Sequence, residues 1–346
     1  MTLALAIDTR DAALLPSRRD EDWRWSDLRG LIRAIPPASP PYQGSVGEGP
    51  FAAAAVENLT LVSGRGPARL AVRPRESRTV ALRIIAAPGA GAHVVRLGVE
   101  IGEGAQLTLL ESYEGEAAAD YLADANLSIV LAAGARLERI VLAGDSPSGV
   151  SVSRADISLG AGASLGQTVL TTGARRQRIE THVSHPGAGA VVRLDGLYLL
   201  NDRRHADITT VVTHEGVDGT TDQLTKGVVD DQARGVFQGR IVVSPGADRT
   251  DARMGHHALI LSDRAEVDGK PELEIYADDV ACAHGNTVGA LDEEALFYAR
   301  QRGLTEADAR AMLTGAFLGE VIDRIEHDGA RDVARAWLAA GLGAAP

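Results

Sequence analysis

The chain has 346 residues, of which 45% are hydrophobic and 38 are glycine, and its formal net charge is −12. This length is enough for one large domain or two ordinary ones with a substantial core, whereas the acidic charge opposes binding to nucleic acid or to an anionic membrane. The single cysteine excludes an intrachain disulfide, and this, with an acidic N-terminus and no apolar run near ~18 residues, predicts a cytoplasmic protein.

Residues 1–45 are predicted to form a helical segment followed by a linker. Trp23, Leu28, Leu31 and Ile35 fit one face of a helix, and the residues around them show no strand-like alternation. The proline-rich stretch 36–41 then ends any helix, because proline removes a backbone donor and clashes with the preceding turn.

Residues 46–288 show a pattern that indicates a β-rich core. A Gly-Ala turn phrase recurs before β-prone runs, and after a first short step its copies are 30, 28, 27 and 57 residues apart. A turn that repeats at a nearly constant period indicates a β-solenoid, in which each coil buries the open face of the coil before it. A β-sandwich with coincidental Gly-Ala turns is the alternative. The copies begin at Gly91, Gly104, Gly134, Gly162 and Gly189, with a looser copy at Gly246.

Residues 289–346 are predicted to form a C-terminal helical domain. Asp292 provides a helix start and Gly303 a stop. Thr305, with Asp308 three residues later, resembles a capping box that opens a second helix. A third helix is expected after Asp328.

Sequence motifs restrict the chemistry that the chain can perform alone. The sequence has neither a P-loop nor a G-x-G-x-x-G fingerprint, so any ATP must be hydrolysed by another chain. The adjacent carboxylates Asp278 and Asp279, or Asp292, would suit a glycan-cleaving enzyme. However, neighbouring residues on a strand point to opposite faces, and the low aromatic content of 4% argues against sugar stacking.

Cys282 and His284 form the most informative pair. Their i, i+2 spacing would place a thiolate and an imidazole on one face of a strand, which is part of a metal site. An iron–sulfur cluster generally needs four protein ligands. The pair is therefore half of a site, unless Cys282 is only a small buried hydrophobe.

Four long segments resemble the shared C-terminal core of the SufB/SufD family. They are residues 235–241 (GVFQGRI), 270–280 (KPELEIYADDV), 282–285 (CAHG) and 296–303 (LFYARQRG). The resemblance is strong over residues 200–325 and weak elsewhere, and the single cysteine and compact length favour the SufD branch. Ala283 departs from the pattern, because the family often has serine there.

The resemblance implies a fold and a role. It implies a right-handed parallel β-helix between helical N- and C-terminal parts, and a non-catalytic scaffold subunit that assembles nascent iron–sulfur clusters. A SufB-like subunit would bind through the β-helix edge and share a transient cluster with Cys282 and His284, of which His284 is the stronger candidate. A SufC-like ATPase would bind the C-terminal helices, and the isolated chain could pair with itself. The candidate residues for the ATPase contact are Asp292, Phe297, Tyr298, Arg300 and Arg302.

Two further alternatives remain at this point. One is a β-helix carbohydrate-active enzyme that uses Asp278, Asp279 or Asp292. The other is a stand-alone metal-binding or storage protein, whereas the scaffold hypothesis predicts no stably bound metal in the isolated chain. Phe297 and Tyr298 could also be core residues rather than contact residues.

Overall fold

The computed structural model describes residues 3–116 and 120–343 of the chain. Within them, seventeen strands alternate between two parallel sheets. The odd sheet contains β1 (Glu57–Val62), β3 (Ser77–Ala86), β5 (Gln106–Gly115), β7 (Arg136–Gly144), β9 (Ser164–Thr171), β11 (Val191–Leu200), β13 (Thr220–Val229), β15 (Thr250–Ile260) and β17 (Val280–Gly289). The even sheet contains β2 (Arg69–Val72), β4 (Ala92–Ile101), β6 (Leu122–Leu131), β8 (Val150–Leu159), β10 (Arg176–His185), β12 (His205–His214), β14 (Arg234–Val243) and β16 (Glu266–Ile275).

The strand register confirms the predicted β-solenoid. Gln106 pairs with Arg136, Arg136 with Ser164, and Ser164 with Val191, so successive coils are offset by 30, 28 and 27 residues. These offsets equal the spacing of the Gly-Ala phrases. All pairings between named strands are parallel, so the β-sandwich alternative is wrong.

The Gly-Ala phrase forms the corner that leads into an odd strand. Gly104, Gly134, Gly162 and Gly189 all have φ between 62° and 68°, a region that L-residues rarely adopt. The long 57-residue step is explained by Asp218, which takes the same left-handed conformation (φ 59°) at the intervening corner. The first copy, at Gly91, differs because it precedes a strand of the even sheet.

The main core lies between the two sheets and continues from the coil of β1 to that of β15. It is mostly aliphatic, but it also contains an ion pair. Arg139 donates from Nη2 to Glu111 Oε1 at 2.7 Å and from Nη1 to Gln167 Oε1 at 2.7 Å, and both charged side chains are almost completely buried. A buried pair of this kind needs such additional hydrogen bonds to offset the desolvation of its charges.

The N-terminal segment crosses the outer face of the even sheet, and its helical part is present but shorter than predicted. From residue 3 onward, α1 (Leu3–Thr9) and two short 3₁₀ turns are the helical parts that the structure describes in this segment. The remaining backbone is held by local turns and by contacts with the sheet. Arg178 donates to the Asp22 carbonyl at 2.6 Å and stacks over Trp23 at 4.4 Å, and Ser26 donates to the buried Asp207.

The three predicted C-terminal helices are confirmed as α2 (Glu293–Gln301), α3 (Glu306–Ile322) and α4 (Asp328–Gly341). Asp292 caps α2 by accepting from the backbone N–H groups of Glu294 and Ala295, and Thr305 caps α3 by accepting from that of Asp308. Helices α3 and α4, together with Phe51, form one apolar cluster with the outer face of the odd sheet from β3 to β13. The boundaries 1–45, 46–288 and 289–346 as separate domains stay a prediction.

Candidate functional site

The C-terminal end of the solenoid is formed by its last coil, β16 and β17. Among the described residues, β16 pairs only with β14 and β17 only with β15, so each sheet ends there in an unpaired strand. The apolar side chains of Ile275, Tyr276 and Val288 are 42%, 60% and 44% exposed at this end. An exposed strand edge with apolar side chains favours pairing with another chain. We call this surface, residues 266–289, the open end.

Cys282 and His284 lie on β17 at the open end. Their register partners on β15 are the buried Ala252 and Met254, so both side chains belong to the row that faces the lumen of the solenoid. Because β17 is the last strand of the odd sheet, no further coil of the described chain covers this part of the row. Cys282 is therefore only half-buried and His284 is exposed.

The environment of Cys282 favours the protonated thiol. Burial raises the pKa of the Cys282 thiol, the nearby Asp251 raises it further, and a hydrogen bond with the Ala252 backbone partly opposes these effects. A thiol becomes a strong metal ligand only as the thiolate. A cation at the open end would lower the pKa of the Cys282 thiol and so favour the thiolate that binds metal.

The donor set is incomplete. No group of three His, Cys, Asp or Glu side chains that could hold a metal ion is present in residues 3–116 and 120–343. One thiol and one imidazole can provide part of the coordination of an iron–sulfur cluster, and the remaining ligands would have to come from a second molecule.

Asn286 is the functional candidate that the sequence analysis missed. It continues the lumen-facing row from Cys282 and His284, and its register partner is the buried His256. The signal was present, because the i, i+2 alternation that joins Cys282 to His284 extends one step further along the same strand.

The carboxylates considered for glycan cleavage are placed separately. Asp278 and Asp279 lie in the exposed turn between β16 and β17, where the Asp279 carbonyl accepts from the Arg249 backbone N–H at 2.6 Å. Asp292 caps α2.

A second exposed surface lies on α2. Phe297 and Tyr298 are 64% and 60% exposed, so the interpretation of these aromatics as core residues is wrong. Arg302 donates to Tyr298 Oη at 2.6 Å and its guanidinium lies 5.0 Å from the ring centroid, while Arg300 pairs with Glu306 at 3.6 Å. The roles of Asp292, Phe297, Tyr298, Arg300 and Arg302 in partner binding stay predictions.

Among the helices that the structure describes, none is both long and apolar enough to cross a membrane.

Comparison with known proteins gives a consistent result. Residues 84–317 match the family described as "SUF system FeS cluster assembly, SufBD core domain". The chain is 34% identical over 231 residues to the iron–sulfur cluster assembly protein SufD of Escherichia coli, a match that covers 67% of this chain and 55% of that protein. It is 31% identical over 238 residues to a SufBD family protein of Synechocystis, covering 66% and 52%.

A mycobacterial relative matches over a longer region. The chain is 29% identical over 349 residues to a SufBD family protein of Mycobacterium leprae, which covers 91% of this chain and 87% of that protein. By contrast, the matched region is about half the length of the Escherichia coli and Synechocystis relatives.

Proposed function

The chain belongs to the SufBD family of the SUF iron–sulfur cluster assembly system, and we propose that it acts there as a SufD-type, non-catalytic scaffold subunit. The observation that carries this proposal is the position of Cys282 and His284. They lie in one row at the end of the lumen, on β17, which is one of the two unpaired strands that are suited to receive a partner.

A SufB-like β-helix would dock on the open end by strand addition. Its terminal strands would pair with β16 and β17, and its own ligands would meet Cys282 and His284 across the junction. The nascent cluster is the cargo of this joint site. A site divided between two chains releases its cargo when the chains separate.

A SufC-like ATPase would bind at α2. The exposed Phe297 and Tyr298, with Arg300 on the same helix and Arg302 at its C-cap, provide an apolar and cationic surface for it. Aromatic and arginine side chains are the residue types enriched at the energetic centres of protein interfaces. ATP hydrolysis in that partner, in the cytoplasm, would move the two β-helices as rigid bodies.

The test is His284→Ala in the complex reconstituted with a SufB-like and a SufC-like subunit under anaerobic conditions. The variant should fold, because His284 is exposed. It should also bind both partners, because the proposed docking depends on backbone pairing of β16 and β17 and on α2. The visible absorption of the assembled cluster should fall by about tenfold or more, on the scale of losses at metal sites. His182→Ala, a half-buried histidine on β10 remote from the open end, is the matched control and should assemble normally.

A cluster yield for His284→Ala equal to that of His182→Ala would overturn the proposal. Loss of partner binding with His284→Ala would instead assign the residue to docking, and would equally contradict its role as a ligand.

A further inference from the structure

A chain of hydrogen bonds runs from the sealed core to the open end. Tyr198 on β11 and His256 on β15 are both completely buried, and Tyr198 Oη lies 2.9 Å from His256 Nε2. His256 Nδ1 lies 2.8 Å from Asn286 Oδ1 on β17. These three residues therefore connect three coils of the solenoid through the lumen.

The lumen is shaped to hold this chain in place. The His256 ring stacks on Phe237 with centroids 4.7 Å apart and an interplanar angle of 18°. The Tyr198 ring occupies space left by Gly227 and Gly235, because a Cβ at either glycine would overlap it. Buried polar groups in such close packing have few alternative orientations.

The order of donors and acceptors follows from Asn286, the last residue of this hydrogen-bond chain. The Asn286 oxygen can only accept, so His256 Nδ1 must carry the proton. His256 Nε2 then accepts, and the Tyr198 hydroxyl donates to it. Burial lowers the pKa of His256 to about 4, and it raises the pKa of Tyr198, which agrees with a neutral imidazole and a protonated phenol.

This order determines which part of Asn286 remains available. Its oxygen is engaged by His256, and among the described residues its amide nitrogen has no hydrogen-bond partner. The two N–H donors belong to an exposed side chain in the same row as His284 and Cys282. To present its oxygen instead, the amide would have to rotate and the His256 proton would have to move from Nδ1 to Nε2, with the Tyr198 hydroxyl then accepting from it.

We propose that Asn286 is a hydrogen-bond donor to the sulfur atoms of the cargo held by Cys282 and His284, and that His256 and Tyr198 are positioning residues that fix its orientation. The inference rests on the function proposed above. Sulfide and thiolate sulfurs in iron–sulfur sites accept hydrogen bonds from protein N–H groups, and these bonds tune the stability and potential of the cluster. A donor that is already oriented binds its acceptor at a lower entropic cost.

The first test measures the isolated chain and needs no cluster. Two-bond ¹⁵N–¹H correlation spectra report which nitrogen of His256 is protonated, with the signal assigned by its loss in His256→Gln. We expect a neutral ring protonated at Nδ1, and Tyr198→Phe should weaken that preference because it removes the donor to Nε2. Protonation at Nε2 would mean that Asn286 presents its oxygen, and would overturn the proposal.

The second test uses Asn286→Asp in the reconstituted complex. Aspartate keeps an acceptor for His256 Nδ1 but removes both N–H donors, so the folded chain should retain the Nδ1 signature. The lifetime of the assembled cluster should fall by about tenfold. Asn58→Asp, at an exposed position of the terminal strand β1 at the opposite end, is the matched control for the added charge and should not change the lifetime.

The two proposals fail in different ways. A normal cluster in His284→Ala contradicts the assembly site itself. A lost cluster in His284→Ala, together with a wild-type lifetime and spectrum in Asn286→Asp, contradicts only the donor role of Asn286.

Discussion

Individual buried histidines make the folded chain sensitive to acid. His185 and His214 lie on neighbouring strands of the even sheet, are completely buried and meet edge to face with ring centroids 4.0 Å apart. Neither nitrogen of His185 has a hydrogen-bond partner among the described residues, and His214 bonds only to Thr221. Burial lowers the pKa of His185 to about 4 and that of His214 to about 3.

These two histidines should therefore reduce stability as the pH falls. In the unfolded chain each takes up a proton near pH 6.5, whereas the folded chain resists protonation until about pH 4 or below. The unfolded state thus binds more protons in this window, and the free energy of unfolding decreases from pH 7 to pH 5 by about 2 kcal/mol for each histidine. Urea unfolding at the two pH values measures the difference.

The double variant His185→Gln/His214→Gln should lose less stability over this pH range, by about 2 kcal/mol for each histidine removed. Its absolute stability is not the readout, so a general destabilisation does not affect the comparison. Burial also lowers the pKa values of His93, His205 and His256. These three residues are present in both the wild-type chain and the variant, so their contributions to the pH dependence cancel in the comparison. An unchanged pH dependence would show that the His185–His214 pair is not held neutral.

At the scale of elements, the corner glycines are needed for their backbone conformation and not for lack of space. Gly162 has φ 63°, and a Cβ added there would meet nothing within 4 Å. Gly319 in α3 also has open space, but it has a helical backbone. The two positions therefore separate conformational strain from steric overlap.

Substitution by alanine should have opposite effects at these two glycines. Gly162→Ala should reduce the free energy of unfolding by about 1–2 kcal/mol, because an L-residue is strained in the left-handed region. Gly319→Ala should increase it by about 0.5–1 kcal/mol, because alanine is the better helix former. Equal effects in urea denaturation would mean that the corner relaxes out of its left-handed conformation.

The same elements show what the sequence could and could not predict. Strands such as β11 and β14 were recognisable because aliphatic residues dominate them. Strand β10 was not, since Arg178 and Glu180 are buried on its outer face beneath the N-terminal segment and hide the alternation. Strand β17 gave no apolar signal because its lumen-facing row is polar where the core ends. The contact between His256 and Asn286 joins residues 30 apart, so only the coil register reveals it.

At the scale of the whole molecule, the coils differ in protection according to their position. Alternate N–H groups of β17 face the side where no further strand of the described chain pairs, whereas β7 and β9 have neighbours on both sides. In a stack of coils, local opening is easiest at an uncovered end.

Hydrogen exchange should therefore be faster in β17 than in β7 or β9 when the chain is dilute enough to prevent self-association. Binding of a SufB-like subunit should slow exchange in β16 and β17, because strand addition pairs their free N–H groups. The terminal strand β1 at the opposite end is the internal control and should not change. Mass spectrometry of exchanged peptides measures these rates. If binding slows exchange in β1 but not in β17, the partner docks at the opposite end of the solenoid, and the proposed docking surface is wrong.

The two terminal segments each span several coils of the stack. The N-terminal segment is fastened along the even face from β4, where Arg96 pairs with Asp8, to β16, where Lys270 pairs with Glu21 at 2.9 Å. Helices α3 and α4 are fastened along the odd face. Bending the solenoid towards one sheet would stretch the terminal segment that is bonded to the opposite sheet, so both segments oppose bending.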